Sequence, residues 1–306
     1  MQHHAKPFLK WAGGKTGALA RLDEYIPRDL SGYYEPFLGG GSVLLHVLAS
    51  LKNGQRRLLP GAQIVASDIN AALINVYKRI QADPEPLIHE LCGLFTQAQE
   101  APSIEEFYYV LRDLYNQHRG EDTDYAAALF LFLNHNGFRG LYRENKAGEF
   151  NVPYGHYKTP VIPHASTLRN AHSLFTEYRV IFKCQNASAV LEEVPDVADV
   201  PDVPNANPPP CVFLDPPYEK LAPNTFIAYY AGGADYSFGA LCDWMRTRGR
   251  RCHAIMTNHL TPELADIFRD FPVCETFSAR RAINAKKPES QADELIVCGR
   301  AAARAG

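Results

Sequence analysis

Tyr33-Tyr34-Glu35-Pro36-Phe37-Leu38-Gly39-Gly40-Gly41-Ser42 runs straight into the apolar stretch Val43 to Leu51, and that change of pattern decides the fold. A short strand, a glycine-rich turn and a helix form the first half of a nucleotide-binding βαβ unit. The glycines let the backbone approach a ligand closely, while the helix N-terminus favours an anionic group such as a carboxylate. Further on, Ile64-Val65-Ala66-Ser67 reads as a second strand ending in Asp68, an acceptor suited to ribose hydroxyls. A glycine turn at one strand end and an acid at the next point to a nucleoside-containing ligand. A dinucleotide fits less well, because Leu44 stands where the third glycine of G-x-G-x-x-G would fall.

Outward from this unit, Val212-Phe213-Leu214 is a short apolar run that reads as a buried parallel strand. It ends in Asp215-Pro216-Pro217-Tyr218, at the carboxyl edge of the sheet where open α/β folds bind ligands. The prolines fix φ and donate no N–H, so their carbonyls can be held toward a guest amine. Asp215 can accept a hydrogen bond from the same amine, and Tyr218 offers a flat face to a planar ring. A strand followed by a turn with a capping Asp is the competing reading. Near the amino end, Phe8-Leu9-Lys10-Trp11-Ala12-Gly13-Gly14-Lys15 sets paired glycines between Trp11 and Lys15. The full phosphate-loop spacing is absent, which favours a plain turn into a helix from Ala18 to Tyr25.

From about residue 79 the character changes. Ser103 and Glu106 form a capping box ahead of the helical stripe Phe107, Val110, Leu111 and Leu114. Tyr125 to Asn134 is apolar almost all round and predicts a buried helix. Aromatic and basic residues then interleave with glycines from Asn134 to Asn145 and Gly148 to Gly155. That mixture suits a loop or hairpin entering a DNA groove, or a loop closing a helical subdomain. A helix from Ser166 or Thr167, a strand at Val180-Ile181-Phe182, a helix from Phe238 to Arg248, and strands at Ala254-Ile255-Met256 and Glu294 to Cys298 complete the pattern. Thr261-Pro262 starts one more helix. Thr225 to Tyr230 is expected to line a pocket beside Tyr218.

The chain has 306 residues, 46% hydrophobic and 21% charged, as in ordinary globular proteins. No run is long enough for a membrane span, and the opening Met1-Gln2-His3-His4 is no signal peptide. Seven scattered cysteines without a Cys-x-x-Cys indicate neither zinc nor disulfides, so reduced thiols in a cytoplasmic protein are expected. The net charge is −3, yet Glu192, Glu193, Asp196, Asp199 and Asp202 fall within 190–205; without those five the rest carries +2. Basic residues gather at Arg139, Arg143 and Lys146, at Arg246 to Arg251, and at Arg280 to Lys287. Charge therefore permits DNA binding without arguing for it. Pro195 to Pro210 holds six prolines and reads as an exposed acidic loop.

Taken in order, these segments are similar to the Dam-like (D12 class) DNA adenine-N6 methyltransferases. The resemblance rests on Phe8 to Lys15, Glu35 to Ser42, Asp68-Ile69-Asn70, Asn134 to Pro153, Asp215 to Tyr218, Phe226 to Tyr229 and Arg280 to Leu295. It implies a Rossmann-like α/β methyltransferase fold, with a mixed, mostly parallel sheet, helices on both faces and an inserted, mainly helical DNA-recognition domain. Residues 1–78 and 166–306 would form the catalytic domain and 79–165 the recognition domain. It implies S-adenosylmethionine as cofactor, held by Trp11, Lys15, Glu35, Phe37, Gly39, Gly41, Asp68 and Asp215, and no metal. Asp215, Pro216, Pro217 and Tyr218 would be catalytic. Lys10, Leu141, Arg143 and Pro153 would read the bases of GATC, with Phe138 entering the base stack and Arg139 beside it. Arg139 departs from the family's Asn, and His156 from a basic residue near phosphate. The implied partner is double-stranded DNA, bound by a monomer that needs no restriction endonuclease. RNA or protein-amide methyl transfer, nicotinamide-dependent redox chemistry and non-catalytic DNA binding are the rival readings.

Overall fold

The computed structural model describes residues 5–195, 208–217, 237–280 and 291–300. The first part holds a 3₁₀ turn (Lys15–Ala18), α1 (Leu19–Asp23), β1 (Asp29–Leu30), β2 (Tyr33–Glu35), α2 (Ser42–Lys52), β3 (Arg57–Leu58), β4 (Ile64–Asp68) and α3 (Ala71–Ala82). Next come α4 (Pro84–Glu100), α5 (Ile104–His118), α6 (Asp124–Asn136), a second 3₁₀ turn (Phe138–Gly140), α7 (Ala165–Glu177), β5 (Ile181–Cys184) and α8 (Ala187–Glu193). The chain closes with β6 (Cys211–Leu214), α9 (Phe238–Thr247), β7 (His253–His259), α10 (Pro262–Ile267), β8 (Val273–Arg280) and β9 (Gln291–Cys298).

Seven strands build one sheet in the order β5-β4-β2-β6-β7-β9-β8. Neighbours from β5 to β7 are parallel. β9 enters antiparallel between β7 and β8. Side chains alternate across a pleated strand, so one parity faces each side. Tyr33, Ile64, Ala66, Cys211, Phe213 and Ile255 pack into one apolar cluster with residues of α1, α2, α3, α6 and α7. Tyr34, Val65, Val212, Leu214, Ala254 and Met256 pack on the other side with α8, α9 and α10. Both faces are covered, which explains why the parallel strands read as apolar runs rather than as alternating ones.

The helix starts follow their side-chain caps. Asn70, Asp83, Ser103, Thr123, Ser237 and Thr261 each accept a backbone N–H of the first turn. α6 is buried from Ala126 to Asn136, as its sequence predicts. Six elements were not read from the sequence: β1, β3, α3, α4, α8 and β8. The boundary expected at residue 79 falls inside α3. The helices beyond it do not form a core of their own among the described residues. Leu87, Leu91, Tyr108 and Phe132 share one cluster with Tyr33, Leu44 and Tyr77. Most of the acidic proline loop, Tyr218, Thr225 to Tyr230, and the basic residues Arg281, Lys286 and Lys287 lie outside the described residues.

Candidate active site

From β2 the chain crosses to β4 on one side and later returns to β6 on the other, which makes the β2–β6 boundary the topological switch. Parity then gathers the acids. Glu35 follows Tyr33, Asp68 follows Ala66, Asp215 follows Phe213 and Thr257 follows Ile255, each two residues on and therefore on the same face at the carboxyl edge.

Asp215 is held at both oxygens. The Lys15 ammonium donates to Oδ2 at 2.7 Å and the Thr257 hydroxyl to Oδ1 at 2.8 Å. Lys15 is almost fully buried, also donates to the Gly13 carbonyl, and has its backbone N–H bonded to Ser42 Oγ at the start of α2. The turn expected around Lys15 thus serves to bring a cation into the sheet edge. Pro216 and Pro217 follow Asp215 beyond the end of β6, outside any helix or strand.

Glu35 is buried, and Tyr33 donates its hydroxyl to Oε2 at 2.6 Å. Burial pushes its carboxyl from 4.5 up to about 8, opposed by the Tyr33 hydrogen bond and reinforced by the nearby Asp215 charge. Asp68, on the next strand, takes the Gly39 N–H on Oδ2 and the Asn70 N–H on Oδ1, both at 3.0 Å. The first of these bonds ties the loop after β2 to the carboxyl end of β4.

Gly39 and Gly41 both adopt positive φ, 49° and 64°, where a side chain is strained. Space also forbids one. A Cβ on Gly39 would sit 2.8 Å from Trp11 Cδ1, and one on Gly41 2.5 Å from the Tyr77 hydroxyl. Tyr77 in turn donates to the Gly39 carbonyl. The glycine loop is therefore pressed between Trp11 and Tyr77. Phe37 packs against the opposite apolar cluster. Trp11, Gly39, Gly41 and Asp68 thus come together at the carboxyl ends of β2 and β4, where the glycines leave the loop backbone without side chains.

The expected DNA-reading residues are placed less uniformly. Phe138, Arg139 and Pro153 are exposed. Arg139 has φ 57° and stacks its guanidinium over the Phe138 ring at 5.3 Å. Asn occupies this left-handed region more readily than Arg, so Arg139 sits here at some backbone cost. Arg143 is half-buried and donates to Asn151 Oδ1 and to the Asn151 carbonyl. Leu141 is buried. Lys10 directs its ammonium inward, to the His135 carbonyl at 2.7 Å and the Tyr157 hydroxyl at 3.1 Å.

Asn134, His135 and Asn136 open the segment expected to enter a groove, but they are the last, buried residues of α6. Asn134 accepts the Lys10 N–H and donates to the Lys10 carbonyl, acting as a surrogate strand partner. His135 Nε2 meets the Phe8 carbonyl at 2.8 Å, and burial takes the imidazole down to about 4. Thr257 is the other residue not singled out from the sequence. Only its strand-end position beside the acid-ending β6 could have signalled it.

Acids at neighbouring strand ends beside a glycine loop, at a topological switch, mark the edge where α/β folds of this class bind their ligands. Comparison with known proteins narrows this. The family model for D12 class N6 adenine-specific DNA methyltransferases matches residues 11–280. The chain is 36% identical over 233 residues to the type II methyltransferase M.MjaIII of Methanocaldococcus jannaschii, covering 74% of this chain and 73% of that one. It is 31% identical over 294 residues to the retron Ec67 DNA adenine methylase of Escherichia coli, with 94% and 89% covered. It is 33% identical over 226 residues to the DNA adenine methylase of Escherichia coli K12, with 74% and 69% covered. The chain belongs to the D12 class of N6 adenine-specific DNA methyltransferases, whose methyl donor is S-adenosylmethionine. Among the described residues no group of His, Cys, Asp or Glu is arranged to hold a metal ion, and no helix is long and apolar enough to cross a membrane.

Proposed function

We propose that this protein methylates the adenine of GATC in duplex DNA after swinging that base out of the helix, with Asp215 and the Pro216 carbonyl gripping its amine. The observation that carries the reading is the two-point hold on Asp215, by Lys15 and Thr257, next to the Asp68–Gly39 cradle. A base inside a duplex is out of reach, and unstacking it costs a few kcal/mol that pocket contacts offset. Tyr218 is assigned to stack on the extruded ring. Asp215 and the Pro216 carbonyl each accept one N6–H, and this arrangement pulls the nitrogen lone pair out of conjugation with the ring. When bound, S-adenosylmethionine supplies an electrophilic methyl group. Trp11, Gly39, Gly41 and Asp68 would hold it, with Lys15 and Glu35 at the border between cradle and amine site. Lys15 balances the Asp215 charge and keeps the carboxylate in place, so most of the rate comes from positioning and electrostatics.

Phe138 and Arg139 are assigned to the opened base step. Arg143, Leu141, Pro153 and Lys10 are assigned to base reading, within a recognition region spanning 79–165. Lys10 needs its ammonium free for that role, so DNA would have to replace its bonds to His135 and Tyr157. Labelled S-adenosylmethionine incubated with GATC duplex, GATC-free duplex, RNA and protein tests the reading. Label is expected in the GATC duplex alone, and Asp215→Ala is expected to abolish it while duplex affinity stays near wild type. Near-normal turnover by Asp215→Ala, or equal labelling of GATC-free DNA, defeats the assignment.

A further inference from the structure

We propose that Thr257 is a positioning residue for Asp215, its hydroxyl setting the rotation of the carboxylate that grips the target amine. The inference rests on the role assigned to Asp215 above. An ionised carboxylate only accepts hydrogen bonds, so two donors on opposite oxygens define its plane and leave a lone pair on each oxygen for the amine. The donors differ in kind. Lys15 brings a compact point charge, which neutralises and holds the carboxylate without a directional fork to set its rotation. Thr257 is β-branched and stiff at χ1.

Thr257 is also anchored by its strand. It is fully buried on β7, which pairs with β6 on one side, Leu214 opposite Met256, and with β9 on the other, Thr257 opposite Ile296. Its hydroxyl therefore has little freedom to follow Asp215 if the carboxylate turns. The same parity that puts Ile255 in the core puts the Thr257 hydroxyl at the Asp215 oxygen. A purely structural hydroxyl would need only some acceptor; this one takes the oxygen of the side chain proposed to do the chemistry.

The test compares Thr257→Val, which keeps the shape and removes the donor, with Thr257→Ser, which keeps the donor, and runs Asp215→Ala beside them. Turnover at saturating GATC duplex and S-adenosylmethionine, KM for each, duplex Kd and thermal midpoint are measured. Thr257→Val is expected to lower kcat by about 10- to 100-fold, the scale of a misaligned reacting group. KM and duplex Kd are expected to stay within about twofold, the pattern of an interaction used only in the transition state. Thr257→Ser is expected to recover most of kcat. If Thr257→Val does not fold, Thr257→Ala is read in its place. Wild-type kcat in Thr257→Val with an inactive Asp215→Ala overturns this inference alone, as does a Thr257→Ser variant as slow as the Val variant. Turnover by Asp215→Ala overturns both this inference and the role of Asp215.

Discussion

Glu35 has the most unusual surroundings of any carboxyl at the sheet edge. Buried beneath the glycine loop and beside Asp215, it keeps its proton to about 8, whereas in the unfolded chain it would lose it near 4.5. Between those values the folded protein binds a proton that the unfolded chain does not. Stability from this group is thus full below 4.5 and drains away as pH rises toward 8. Glu35→Gln removes the titration and retains a polar group. Thermal midpoints measured from pH 5 to 8.5 are expected to fall more steeply for the wild type than for Glu35→Gln, with the variant ahead at the alkaline end by on the order of a few kcal/mol. Parallel curves would mean that Glu35 is not protonated in the native state. Lys15 illustrates how little its own neighbours reveal of a residue. Gly13-Gly14-Lys15-Thr16 looks like a turn with a surface lysine, and only the three-dimensional path brings it to Asp215, 200 residues away.

At the level of elements, the hairpin that follows α6 leans on the amino-terminal loop through stacked rings. Tyr142 lies 5.9 Å from Trp11 with planes 23° apart, and Phe130 of α6 flanks both. An aromatic pair of this kind contributes about 0.5–1.5 kcal/mol beyond area burial. Since Trp11 also presses on Gly39 and Gly40, loosening it should loosen the cradle. Tyr142→Ala is accordingly expected to weaken S-adenosylmethionine binding by about 2- to 10-fold even without DNA, measured by titration calorimetry. Unchanged cofactor affinity with weakened DNA binding would confine Tyr142 to the recognition side. Some strand ends and helix starts were readable because local chemistry fixes them: β4 stops at Asp68, and α10 begins where Thr261 caps and Pro262 follows. α4 and α8 were missed although similar signals are present: Leu87, Ile88, Leu91, Leu94 and Ala98 keep helical spacing behind the Asp83 cap and Pro84, and Asn186 caps α8, which has only 7 residues. Nor could sequence reading tell which backbone Asn134, at the end of the predicted buried helix, would bind. An Asn ahead of His-Asn-Gly looks like loop chemistry, and its use as a backbone clamp on Lys10 depends on a neighbour 124 positions earlier.

Across the whole molecule, one apolar cluster joins the sheet to α3, α4, α5, α6 and α7, so the helical segment and the sheet cover each other's hydrophobic faces. A residue set with no separate core has little reason to fold alone. Residues 79–165 expressed by themselves are expected to lack a cooperative thermal transition, whereas the whole chain melts in a single one by both near-ultraviolet dichroism and calorimetry. A stable isolated 79–165 fragment would instead establish an autonomous module. The parallel strand order has a further meaning for the living cell. Its central strand β2 lies between β4 and β6, and Asp215 has its Thr257 partner only once β7 is in place. A nascent chain leaving the ribosome makes the Gly39–Asp68 contact early, yet Asp215 and Thr257 come from strands made much later. The strand-edge group of Glu35, Asp68, Asp215 and Thr257 is therefore complete only once β7 has been synthesised and has paired with β6.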